Sequence, residues 1–105
     1  MRITRHFRER IQDRIAAAAG KDLFGKEITA MANFLVKKAQ ASTEAVTYLG
    51  SNGKERYLII TIDGAEWGVG VDSAEKIATT LLNPAMLRRD RKRAKLYARL
   101  PRRAA

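Results

Sequence analysis

A chain of 105 residues with no cysteine, one histidine and a net charge of +10 has no disulfide framework and no thiolate metal site, and it is long enough for one modest core. Its apolar runs are far shorter than a membrane span and no secretion-type signal opens it, so a soluble, cytoplasmic protein without membrane contact is expected. The charge is unevenly placed: residues 1–14 carry a net +3, residues 15–83 a net −1, and residues 84–105 carry nine lysines and arginines against Asp90. This reads as a compact domain over 1–83 followed by a basic C-terminal extension over 84–105. Such ends suit a nucleic acid or an acidic protein surface as partner, or serve solubility alone.

In chain order, "MRIT" is a short candidate strand. From His6 the period becomes helical, with Phe7, Ile11, Ile15 and Ala18 on one stripe, Arg10 and Arg14 on another face, and Gly20 as the stop. A second helix follows with Phe24, Ile28, Met31 and Leu35 on its stripe, ending near Gln40 and with Asp22 as a candidate cap.

The centre carries the strongest local signals. "SNGK" and "IDGA" each set an Asn-Gly or Asp-Gly pair between β-branched and aromatic stretches, which predicts two tight hairpins and a three-stranded antiparallel meander. Two-residue turns would set Thr47 opposite Leu58, Leu49 opposite Arg56, Ile60 opposite Trp67 and Leu58 opposite Val69, with Ile62 and Val71 on the same core face. The other face would carry Val46, Tyr48, Glu55, Tyr57, Ile59, Thr61, Glu66, Gly68 and Gly70, with Tyr48 across from Tyr57. Those rings are expected either to form an exposed platform, able to stack on bases or pair in a homodimer, or simply to cover strand glycines.

"VDSAEK" predicts a third helix with Asp72 and Glu75 as reciprocal caps and Ile77, Thr80 and Leu81 facing inward, ended by Asn83-Pro84. No helix breaker interrupts Ala85 to Leu100, so the extension is expected to be helical. Its apolar stripe of Met86, Tyr97 and Leu100, interrupted by Arg93, is too thin to bury much without a partner. The fold class is α+β: a short N-terminal strand, two helices, a three-stranded meander, then a C-terminal helix and basic extension.

Enzymatic signatures are mostly missing. The composition cannot build a His/Cys zinc site, neither common Gly-rich phosphate loop occurs, and no cofactor is expected. Asp63 and Glu66 sit in or beside a turn, where acids serve backbone roles. His6, among Arg5, Arg8 and Arg10, could act as a base, hydrogen-bond a phosphate, or satisfy groups at the helix start. The candidate nucleic-acid contacts are Arg88, Arg89, Arg91, Lys92, Arg93, Lys95, Arg99, Arg102 and Arg103, with Tyr97 as a stacking ring. A possible second site groups His6, Arg10, Arg14, Lys54 and Arg56 with Tyr48 and Tyr57.

"ITRHFRERIQDR" and "GKERYLIITIDG", in this order of elements, resemble the RelE/ParE-type toxin fold of small phage and plasmid proteins, in topology over roughly residues 1–82. That resemblance implies either metal-independent cleavage of messenger RNA by basic residues and a tyrosine, or poisoning of gyrase. It matches Arg56 to a family arginine and Lys54 to the family's basic hairpin. The chain departs from it at the end of the last expected strand, where "GVGVDSAE" stands in place of the nuclease arginine. Three functions follow: a nucleic-acid-binding protein favouring RNA, a phage-type inhibitor that binds a host protein, and a RelE-like ribonuclease toxin.

Overall fold

The structure is a computed structural model that describes the backbone of residues 1–50, 53–93 and 97–102 and the side chains of 1–47, 55–89 and 101–102. It is α+β. Strand β1 (Arg2–Ile3) leads into one continuous helix made of α1 (Arg5–Arg10), a π-helical run (Ile11–Ala16) and α2 (Ala17–Ala19). Next come α3 (Gly25–Gln40), β2 (Glu44–Gly50), β3 (Gly53–Ile62), β4 (Ala65–Val71), β5 (Ile77–Leu82), α4 (Pro84–Arg93) and β6 (Tyr97–Pro101). The described strands form one sheet in the order β1-β5-β4-β3-β2-β6, antiparallel except where β1 runs parallel to β5.

The first helix starts where Thr4 Oγ1 accepts the Phe7 N–H at 3.0 Å, and it stops at Gly20, whose left-handed φ of 71° ends the ladder. Phe7 and Ile11 are fully buried, Ile15 packs partly buried against the same core, and Ala16 in the π-helical run is buried as well, while Ala18 of the expected stripe is exposed. In α3 the inward residues are Ala32, Leu35 and Ala39, with Ile28 and Met31 partly buried. Phe24, expected on that stripe, precedes the helix and is 73% exposed, and its N–H is taken by Glu27 Oε1 at 3.3 Å. Asp22 is not the cap; it accepts from Gln12 Nε2 across the loop.

Both hairpins form, with different fidelity to expectation. Asp63 and Gly64, at φ 50° and 79°, make the two-residue turn between Ile62 and Ala65, so Ile60 faces Trp67 and Leu58 faces Val69 as their spacing predicts. In the first hairpin Gly50 faces Gly53, which sets Thr47 opposite Arg56 and Leu49 opposite Lys54. The ladder is therefore shifted by two residues: Tyr48 faces Glu55, and Val46, not Tyr48, faces Tyr57. A shift of two leaves each side chain on its expected face, and the core face still collects Leu58, Ile60, Trp67, Val69 and Val71 under the helices.

Two expectations fail beyond the meander. The segment after β4 is a turn and a strand, not a third helix. Asp72 Oδ1 accepts the N–H groups of Lys76 and Ile77 at 2.7 and 2.8 Å, Glu75 sits at φ 57°, and "IATTLL" joins the edge of β4. Six residues containing Ile and two Thr are short for a helix and well suited to a sheet edge that would otherwise be bare. The 84–105 extension is likewise neither separate nor helical throughout. Asn83 Oδ1 accepts the Met86 N–H at 2.8 Å, so Asn83-Pro84 opens α4 instead of closing a helix.

Helix α4 crosses the sheet face opposite α1 and α3, and β6 then pairs antiparallel with β2. There Leu87 and Leu82 bury with Val46, Tyr57 and Ile59, with Met86 against them, in a second small core. The part of the expected platform around Tyr57 is covered by α4; Thr61 on the same face is exposed, and the side chain of Tyr48 lies outside those described. The tyrosine does cover the strand glycines: a Cβ on Gly70 would lie 3.1 Å from Tyr57 Cε1 and 2.5 Å from Thr80 Cγ2. Among the described residues, no helix is long and apolar enough to cross a membrane.

Candidate nucleic-acid interface

The basic residues at the C-terminus divide by environment. Packing Leu87 inward leaves Arg88 and Arg89 exposed on the outer side of α4, and the helical backbone continues through Arg91, Lys92 and Arg93. Tyr97 and Arg99 belong to β6, where their backbones pair with Tyr48 and Val46. Lys95 and Arg103 lie outside the described residues.

Arg102 is turned into the fold. Its Nε and Nη2 donate to Glu75 Oε1 at 2.8 and 2.5 Å, and its Nη1 donates to the carbonyls of Ser42 at 2.7 Å and of Gln40, the last residue of α3, at 3.1 Å. With its side chain only 10% exposed and its fork engaged on three acceptors, Arg102 holds β6 and the end of α3 together and is not a phosphate contact.

Glu75 also binds Arg56, whose Nε and Nη2 donate to Oε2 at 2.9 and 2.6 Å. One carboxylate thus bridges two guanidiniums from distant parts of the chain. The hydrogen bond from Arg102, joined by that from Arg56, holds the Glu75 carboxyl below its ordinary pKa against the opposing effect of burial. Asp72 is lowered as well, chiefly by the N–H of Ile77. A depression of about 320 Å³ lined by Thr47, Glu55, Arg56, Val71, Asp72 and Ser73 adjoins this bridge. It mixes acids with one arginine, and that arginine is engaged by Glu75.

Of the remaining second-site residues, His6, Arg10, Arg14 and Tyr57 neighbour one another in turn, from the first helix to the sheet. His6 Nε2 accepts from Arg10 Nε at 3.2 Å, and Arg10 Nη1 donates to Asp13 at 2.8 Å. Arg14 reaches the Leu81 carbonyl at the end of β5. Burial, then the neighbouring Arg10 and, more weakly, Arg89, lower the pKa of Arg14, with Asp13 and Tyr57 opposing. Tyr57 is buried, its hydroxyl donating to Glu55 at 3.2 Å. Tyr48 and Lys54 lie in β2 and β3, and their side chains are outside those described. No group of three or more His, Asp or Glu among the described residues could hold a metal ion.

Sequence reasoning missed Glu75 as an organiser and Leu87 as an anchor. An acid between two strand-like stretches, preceded by the Asp-Ser turn pair, was a readable sign of a loop. Leu87 was hidden by seeking one apolar stripe across sixteen residues when the helix has ten. Comparison of the chain with protein-family models, curated proteins and solved structures found no match.

Proposed function

We propose that this protein binds nucleic acid, RNA ahead of DNA, in the cytoplasm, through the outer side of α4 and the basic run that continues it. The observation that carries this reading is the division within α4: Leu87 is buried against the sheet while its neighbours Arg88 and Arg89 stand in solvent. A helix anchored on one side holds its arginines in a fixed array, so less ordering entropy is lost when they meet phosphates. Guanidinium forks suit phosphate oxygens and guanine edges, and an arginine-rich helix suits structured RNA.

The test is binding of labelled RNA and duplex DNA over a salt series, comparing the full chain with Arg88→Glu/Arg89→Glu. The full chain is needed because ending it at Asn83 would remove Leu87, β6 and Arg102 from the fold. Binding should weaken linearly on a logarithmic salt scale, with a slope of about −0.7 per phosphate on single strands and about −0.9 on duplex DNA. The variant should bind at least tenfold more weakly, RNA and DNA alike. If the full chain holds neither polymer at physiological salt, the reading fails, and an acidic protein surface becomes the partner to seek.

A further inference from the structure

The basic first helix and the root of α4, separated in sequence by a near-neutral stretch, come together beside β5, whereas β6 lies at the opposite edge of the sheet. Strand β1 pairs with only Ile77 and Ala78 of β5. A register shift then leaves Thr79 as an extra residue, and among the described residues no strand pairs with the edge beyond it. The N-terminal segment covers that edge with side chains: Thr4 Oγ1 donates to the Thr79 carbonyl at 3.4 Å, and Arg14 donates to that of Leu81. Two residues after Leu81, Asn83 caps α4. The Arg10 and Arg14 side of the first helix is thereby fixed beside the root of the helix that presents Arg88 and Arg89.

We propose that Arg10 and Arg14 form one continuous phosphodiester-binding surface with Arg88 and Arg89, crossing the β5 edge between the first helix and α4. The inference rests on the nucleic-acid reading above and deepens it by adding the N-terminal helix to the contact. The ten residues of α4 extend about 15 Å. With Arg10 and Arg14 on the other side of the β5 edge, the guanidiniums span two elements, which suits a chain of phosphates better than a single small anion. Arg14 is half-buried near two other guanidiniums, with Asp13 as a nearby acid already engaged by Arg10. Like charges held this close repel in the free protein, and a bound phosphate relieves that repulsion.

The experiment repeats the salt series on full-length Arg10→Gln/Arg14→Gln, with Lys26→Gln/Lys37→Gln on exposed positions of α3 as a control for lost net charge. The arginine variant should lose about one unit of salt slope per phosphate contact removed, about two in all, on RNA and on duplex DNA. The lysine control should keep the wild-type slope. Because Arg14 also holds the Leu81 carbonyl, Arg10→Gln alone is measured beside it, with a thermal melt, and should lose about one unit of slope. If both Arg10 variants keep the wild-type slope while Arg88→Glu/Arg89→Glu loses binding, the surface stops at α4 and this inference is overturned with the nucleic-acid reading intact. If the lysine control loses as much slope as the arginine pair, the effect is general charge and the surface is overturned. If wild type binds neither polymer, both readings fail together.

Discussion

Arg102 and Arg88 lie fourteen positions apart in one basic run, yet the fold uses them in opposite ways. Around Glu75, arginine is a structural part: two guanidiniums share one carboxylate, and Arg102 also takes the last carbonyl of α3. On α4, Arg88 and Arg89 are exposed beside Leu87, which is buried with the apolar residues of the sheet. The contrast teaches that a count of positive residues is not a count of contacts, because a guanidinium whose three nitrogens are all spent on a carboxylate and two carbonyls, as in Arg102, has few donors left for a phosphate.

The contrast can be broken at its anchors. Leu87→Ala should have the largest effect, about 2–4 kcal/mol in chemical denaturation, because it empties the contact between α4 and Val46, Tyr57 and Leu82. Retention of full stability would mean that α4 does not cover the sheet. Gly70→Ala should cost about 1–3 kcal/mol, since the new methyl meets Thr80 and Tyr57, whereas Gly68→Ala, whose nearest neighbour is the Leu87 side chain at 3.4 Å, should cost less. Equal losses at the two glycines would remove the tight approach at Gly70.

Glu75→Gln comes next, at about 1–2 kcal/mol near neutral pH, because it leaves Arg56 and Arg102 facing each other without a counter-charge while much of the site stays partly solvated. Its pH dependence sharpens the comparison. The folded Glu75 carboxyl is depressed, so its contribution is complete above the unfolded carboxylate pKa of about 4.3 and is lost as pH falls through the lower folded value. Denaturation midpoints taken from pH 7 to pH 3 should therefore fall less steeply in Glu75→Gln than in wild type; parallel curves would deny the bridge. The smallest effect is expected at the exposed pair: Arg88→Glu/Arg89→Glu should change stability by no more than about 0.5 kcal/mol while it weakens binding, and a large loss of stability would place those side chains in the fold.

Local signals were legible where neighbouring residues supply the physics. The Asp63-Gly64 turn, the Gly20 stop and the burial of Phe7, Ile11, Leu35, Leu58 and Val69 follow from spacing and turn chemistry alone. The first hairpin shows the limit of such reading, since a two-residue slip preserves every face and periodicity cannot distinguish the two registers. Strands β5 and β6 were not legible because each depends on a partner far off in sequence: β1 closes the outer side of β5, and β2 receives β6.

By itself the sequence determined an α+β core with a meander at its centre, and a charge distribution concentrated at the chain's two ends. Those properties depend on residue type and near-neighbour spacing. Only the tertiary structure decided which arginines stay outside, because that depends on whether a carboxylate from elsewhere arrives within hydrogen-bonding reach. It also brought the basic first helix beside the root of α4: β5 took the N-terminal segment on its open side and released the chain into α4 at its end. Unsatisfied backbone at a sheet edge is a long-range demand, and the residues that meet it here lie more than sixty positions away.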